Sequence, residues 1–273
     1  MKNAKFSISK IIKLLKEKKL IIDDENELKE YLVSFSPERI INNYSQPFMK
    51  NFDLNKNEYN QKDSSKSIIE LFNYDKNISS LLFNSIKDIE STFGYKILYF
   101  IKRKIDNLSL NENQYDKISY KTVIRWIRTN ELTFGEWLRV FEYLNKDLQY
   151  LIIGSYKDVN WNTRQFLIIF KELKLLRNMC AHNKTIYNLK INVLNNNINF
   201  VSYFVTKNNL KIKIKNRNLK LFDLILIIDK ISNKRISIDL KIIFYKKTFD
   251  KIINSKFISN EAKEFVLKII GII

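Results

Sequence analysis

The run Gln165-Phe166-Leu167-Ile168-Ile169-Phe170-Lys171-Glu172-Leu173-Lys174-Leu175-Leu176-Arg177-Asn178-Met179-Cys180-Ala181-His182 decides the reading of this chain. Turned through about 100° per residue, Phe166, Ile169, Phe170, Leu173, Leu176 and Cys180 fall on one stripe, which predicts a helix buried along one face. Arg177 falls inside that stripe, where a charge needs a partner. Ile168, Leu175 and Met179 form a narrower apolar strip on the opposite side. His182 lies at its edge, and Asn178 sits one turn earlier on the same side. A helix that is apolar on two faces is sandwiched between neighbours, and one neighbour can be a second copy of the chain. Arg177 and His182 stand about 140° apart on an ideal helix. They meet at one ligand only if the helix deforms near His182, or if two copies each contribute groups.

His182 is the one histidine of the chain. Metal-free RNA cleavage needs a group that moves a proton near neutral pH, and imidazole suits that role. It also needs a cation to balance charge building on the phosphate, and a guanidinium grips two phosphate oxygens at once. The ribose 2′-hydroxyl supplies the nucleophile, so neither a protein nucleophile nor a metal is required; DNA lacks that hydroxyl. Taken alone, an Arg and a His at this spacing also fit a helix cap or a satisfied core histidine. The setting of the run has to separate these readings.

Composition narrows that setting. The chain has 273 residues, 45% of them hydrophobic and 13% aromatic, enough for one large domain or two small ones. With only four Gly and two Pro, there are too few turn-formers for sandwiches, barrels or Gly-rich phosphate loops, and long helices become the default. The single cysteine, Cys180, permits no intrachain disulfide and no cysteine cluster for zinc. The longest apolar runs, such as Leu224 to Ile228, are far shorter than the ~18 residues that span a bilayer. The opening Met1-Lys2-Asn3-Ala4-Lys5-Phe6-Ser7 lacks the apolar core of a signal peptide. A cytoplasmic protein with no cofactor, no metal and no membrane is therefore expected. The 48 basic and 29 acidic residues leave a charge of +19, which favours a polyanion, nucleic acid being the commonest. An AT-rich genome, visible in the abundance of Lys, Asn and Ile, accounts for part of that excess.

Ile8 to Leu20 reads as an amphipathic helix, and Asp23-Asp24-Glu25 as the cap and acidic first turn of a second helix through Leu32. Ser36-Pro37-Glu38-Arg39 starts a short helix. Residues 50–66 read as a polar connection, and Ser67 to about Lys104 as one long helix. Gly94 inside it marks a close helix contact. After a polar break at 106–116, helices are predicted at Ser119–Arg128, at Thr133–Asn145 with Thr133 and Glu136 as a capping box, and at Gln165–His182. Ile198–Val205 and the alternating Leu210-Lys211-Ile212-Lys213-Ile214-Lys215 predict a β-hairpin with one basic face, an insertion near residues 195–217. Helices return at Leu221–Ile231, Ile236–Ile253 and Ser259–Ile270. The fold class is mainly α.

Leu175-Leu176-Arg177-Asn178-Met179-Cys180-Ala181-His182-Asn183, followed by Ile186-Tyr187-Asn188, resembles the signature of the abortive-infection Abi (AbiD/AbiF-like) proteins of the HEPN superfamily. Gln46-Pro47-Phe48, Tyr74-Asp75-Lys76 through Ile89-Glu90, and Leu132-Thr133-Phe134-Gly135-Glu136-Trp137 resemble further family segments, in the family's order. The resemblance runs over roughly residues 8–190. It departs at Gly94, at Asn183 where many members have a second histidine, and at Thr185 where arginine is common. It implies a HEPN-type helical bundle in residues 1–190 that carries the Arg-x4-His motif, with residues 191–273 holding the hairpin insertion and C-terminal helices. It also implies a metal-independent endoribonuclease that leaves a 2′,3′-cyclic phosphate, in phage defence or in a toxin–antitoxin pair. Catalytic Arg177, Asn178 and His182, a homodimer, and restraint by a partner RNA or protein are further implications of it. Lys174, Lys184, Tyr187, Lys211, Lys213, Lys215 and Arg217 are the expected RNA contacts, and the basic excess makes a structured antitoxin or guide-like RNA the expected restraint. A non-cleaving HEPN module that only grips RNA is the alternative.

Overall fold

A computed structural model describes residues 7–54, 58–107, 124, 132–156, 161–191, 219–232 and 250–272. The described residues are mainly helical. Helices α1 (Ile8–Glu17) and α2 (Glu25–Phe35) form an opening pair, with the Asp24 carboxylate accepting the Asn26 and Glu27 N–H groups at the start of α2. A short π-helix at Glu38–Asn42 stands where a helix was expected after Pro37. Tight turns at Gln46–Phe48 and Lys50–Phe52 then lead to α3 (Ser65–Asn107), a 43-residue helix that is the spine of the fold.

Among the described residues, α4 (Phe134–Tyr143), α5 (Lys146–Gly154) and α6 (Thr163–Ala181) lean on this spine, as does α2. The capping box expected at Thr133 and Glu136 is present. Helix α5 is a separate element that the sequence reading did not anticipate. Asn145, expected as the last residue of the preceding helix, instead accepts the Leu148 N–H and starts a new one. An aromatic cluster joins the layers. Phe93 of α3 meets Phe141 of α4 and Phe166 and Phe170 of α6, with ring centroids 4.8–5.7 Å apart. All four side chains are fully buried. Gly94 lets α4 approach α3: a Cβ there would lie 2.5 Å from the Trp137 indole.

The expected basic hairpin at 195–217 lies outside the described residues, as do Lys211, Lys213, Lys215 and Arg217. The described residues pair two-residue strands β1 (Lys190–Ile191) and β2 (Leu219–Lys220), antiparallel with Lys190 opposite Lys220. The boundary expected at 190/191 falls within β1. The helix expected at Ser119–Arg128 and most of that at Ile236–Ile253 also lie outside the described residues; Asp250–Ile253 forms the short α8. Helices α7 (Leu221–Ile231) and α9 (Asn260–Ile270) contribute to the same core as α3 and α6. Asp63 holds α9 in place by accepting the N–H and hydroxyl of Ser259, each at 2.9 Å. No helix among the described residues is long and apolar enough to cross a membrane.

Candidate functional site

The motif run occupies the last turns of α6. Asn162 and Gln165 close a capping box at the start of this helix. The expected stripe of Phe166, Ile169, Phe170, Leu173, Leu176 and Cys180 is buried along its length. The helix stays regular to its end. His182 is its C-cap, and the His182 N–H still bonds the Asn178 carbonyl at 3.0 Å. Asn183 then adopts the left-handed conformation, φ 51°. Its N–H reaches the Cys180 carbonyl, and the Lys184 N–H reaches that of Met179. This is a Schellman closure, in which the left-handed position favours Gly or Asn. Asn183 therefore has a backbone role at the position where the resemblance led one to expect a second histidine.

Arg177 finds the partner its position demanded. Its Nε lies 3.4 Å from Glu90 Oε2 on α3, in a pair only 29% and 11% exposed. The two atoms are close enough to attract as charges but not aligned as a hydrogen bond. Nη1 donates to Asn178 Oδ1 at 3.3 Å, and the guanidinium stands 5.6 Å from the Phe83 ring centroid. Burial raises the Glu90 carboxyl above its usual range, opposed by Arg177, by the Phe134 N–H and by Lys87. Glu90 thus ties the motif helix to the start of α4. His182 is exposed at the helix end. Arg177, Asn178 and Glu90 come together, whereas His182 lies on a different side of an undeformed helix.

Behind the run, the chain is fastened to α3. The Asp75 carboxylate, 2% exposed, accepts the Tyr187 N–H at 2.6 Å and the Ile186 N–H at 3.2 Å. It also accepts the Tyr44 hydroxyl at 2.7 Å. Tyr187 is fully buried, stacked on Tyr44, with its hydroxyl donating to the Asn43 carbonyl. This corrects the expectation that Tyr187 contacts RNA: its ring is core, because the loop anchor draws it inward. Lys184 is exposed and Lys174 half-buried. Burial pushes the Cys180 thiol up to about 11, so it stays protonated and unreactive near neutral pH.

Neither Glu90 nor Asp75 was picked out as a site residue from the sequence. A single acid on a long helix has no local signal, and Asp75 meets its loop partners across 111 and 112 residues. An open pocket of about 500 Å³ lined by Lys19, Lys50, Phe52, Glu58, Lys62 and Glu261 does not include the motif, and its lysines are paired with its two glutamates. Among the described residues no three His, Cys, Asp or Glu side chains form a metal-binding group.

Residues 30–125 and 111–188 match the family model described as Abi-like protein. The chain belongs to the Abi-like protein family. The Abi-like match runs from α2 to the loop behind the motif run, so it contains Asp75, Glu90, Arg177, Asn178 and His182. It ends at Asn188, close to the end of the sequence resemblance near residue 190, and leaves out α1 and α7 to α9. No curated protein and no solved structure matches the chain.

Proposed function

We propose that this Abi-like protein is a metal-independent endoribonuclease of the HEPN kind, acting in phage defence by abortive infection or as the toxin of a toxin–antitoxin pair. The observation that carries the proposal is the end of α6. A partly buried guanidinium held by Glu90 and Asn178 lies within five residues of an exposed imidazole, the one histidine of the chain. Family membership supports the abortive-infection setting.

In this reading the ribose 2′-oxygen attacks the adjacent phosphorus while the bond to the 5′-oxygen breaks. His182 takes the proton from the 2′-hydroxyl and gives a proton to the departing 5′-oxygen, and Arg177 neutralises the charge that gathers on the non-bridging oxygens. Asn178 orients the guanidinium through its Oδ1. The products are a 2′,3′-cyclic phosphate and a 5′-hydroxyl. The regular course of α6 favours a site shared between two copies, each supplying the group the other directs elsewhere. The charge of +19 supports a bound, structured RNA as the restraint on such an enzyme; nuclease digestion of whatever co-purifies with the protein tests for it.

The test of the activity is cleavage of RNA by the full chain in the presence of EDTA. The parent is expected to cut and leave cyclic-phosphate ends. His182→Ala is expected to lose cleavage by a factor of about 10² or more at an unchanged melting temperature. Equal cleavage by the variant, or cleavage that depends on added magnesium, refutes the assignment. RNA binding without any cleavage by the parent would make it a gripping module.

A further inference from the structure

We propose that Asp75 is the positioning residue for His182: its carboxylate gathers the chain just behind the histidine onto α3 and so fixes where the imidazole stands. The catalytic consequence rests on the ribonuclease reading above; the positioning itself does not. His182 has no helix beyond it to hold its direction. After it come Asn183 in a left-handed turn, two more residues, and then Ile186 and Tyr187. Both of the latter N–H groups converge on Asp75, and Ile186 reaches both carboxylate oxygens at 3.2 Å. The loop is therefore fixed at one end by the Schellman closure and at the other by this carboxylate.

The anchor is built for that task. Tyr44, fully buried, donates to Asp75 and stacks on Tyr187, 5.6 Å between centroids. Arg39 adds a favourable positive charge, its guanidinium lying 5.4 Å from the Phe72 ring centroid. Cys180 of the motif run lies close enough to feel the Asp75 charge. A carboxylate that accepts from two successive backbone N–H groups and a hydroxyl holds a loop more rigidly than any single bond. An amide in its place presents one acceptor and turns an N–H toward those donors.

The chain has one histidine, so a histidine-labelled sample gives the imidazole signal of His182 alone. We would record it by NMR in the parent, in Asp75→Asn and in Asp63→Asn. The last removes a comparable buried anchor, at Ser259. Asp75→Asn is expected to shift or broaden the His182 signal and to speed exchange of the Ile186 and Tyr187 amides by about tenfold or more. Asp63→Asn is expected to lower stability while leaving that signal where it was. In cleavage, Asp75→Asn is expected to lower kcat about tenfold with KM within about twofold, the mark of a displaced group with intact binding. Should Asp75→Asn not fold, Tyr44→Phe removes one donor to the carboxylate and is expected to move the signal in a milder way. A His182 signal unchanged in the variant that folds overturns the proposal, as does an equal shift in Asp63→Asn. A parent that cuts no RNA removes the ribonuclease reading, and the NMR signal still decides the anchor.

Discussion

At the scale of single residues, Asp75 is a charge held where burial opposes it. Loss of solvation lifts its carboxyl to about 6, against the pull of Tyr44, of the Ile186 and Tyr187 N–H groups, and of Arg39. The direction of that shift sets the sign of the pH dependence. Below the ordinary carboxylate range the proton is on in both folded and unfolded chains. Between about pH 4 and 6 the folded state keeps a proton that the unfolded state has released, so stability falls as pH rises through that window and then levels off. The other titratable neighbours do not change over this range: the Tyr44, Tyr74 and Tyr187 hydroxyls and the Cys180 thiol are all pushed upward, and Arg39 keeps its charge. The unfolding free energy of the parent minus that of Asp75→Asn is expected to drop by about 2–3 kcal/mol from pH 4 to pH 7. Urea melts across that range measure it. A flat difference would mean that burial does not dominate at this carboxyl. The need for such partners was partly legible beforehand: a cation inside an apolar stripe had to meet an anion, and Arg177 does. Which anion was not, because Glu90 is brought to it by the packing of α3 on α6 and by nothing local.

At the scale of elements, the helices with strong 3.6-residue periodicity were readable, and α6 above all, because every residue of its predicted stripe is core. The division between α4 and α5 was not. Apolar residues continue past Asn145, and the break shows only in the structure, where Leu144 and Asn145 take extended backbone and the Asn145 side chain accepts the Leu148 N–H. Gly94 was readable as a close contact, though its partner Trp137 was not. Replacing this glycine sets two effects against each other. Alanine gains about 1 kcal/mol of helix propensity. Its methyl would stand 2.5 Å from the Trp137 indole, which is half-buried and packed against the core. Overpacking costs about 1–3 kcal/mol, so Gly94→Ala is expected to be destabilising overall. In a Trp137→Ala background the same change is expected to be neutral or stabilising, because the clash is gone and the propensity gain remains. Thermal melts of the four proteins close the cycle. A loss equal in both backgrounds would place the strain elsewhere.

At the scale of the whole molecule, the ribonuclease proposal requires that one phosphate meet both Arg177 and His182. Helix α6 shows no deformation that would swing one toward the other. The apolar strip opposite its core stripe is partly satisfied within the chain: Met179 packs on the core and Ile168 is half-buried, while Leu175 is 49% exposed. A second copy seated over Leu175 would cover the side of α6 that carries His182, and a shared site requires it to reach round to the exposed edge of the Arg177 guanidinium as well. Such a shared site makes a prediction that an internal one does not. Arg177→Ala and His182→Ala are each expected to be inactive alone. If the two are unfolded, mixed in equal amounts and refolded, random pairing makes about half of the dimers mixed, each with one site built from two intact groups. The mixture is then expected to regain about a quarter of the parent rate. Leu175→Glu, which places a charge in the contact, is expected to abolish both the dimer in light scattering and the recovered activity. An active parent that is monomeric, or a mixture that stays dead although mixed dimers form, would require both groups to act within one chain, after a rearrangement of α6 that RNA itself would have to drive.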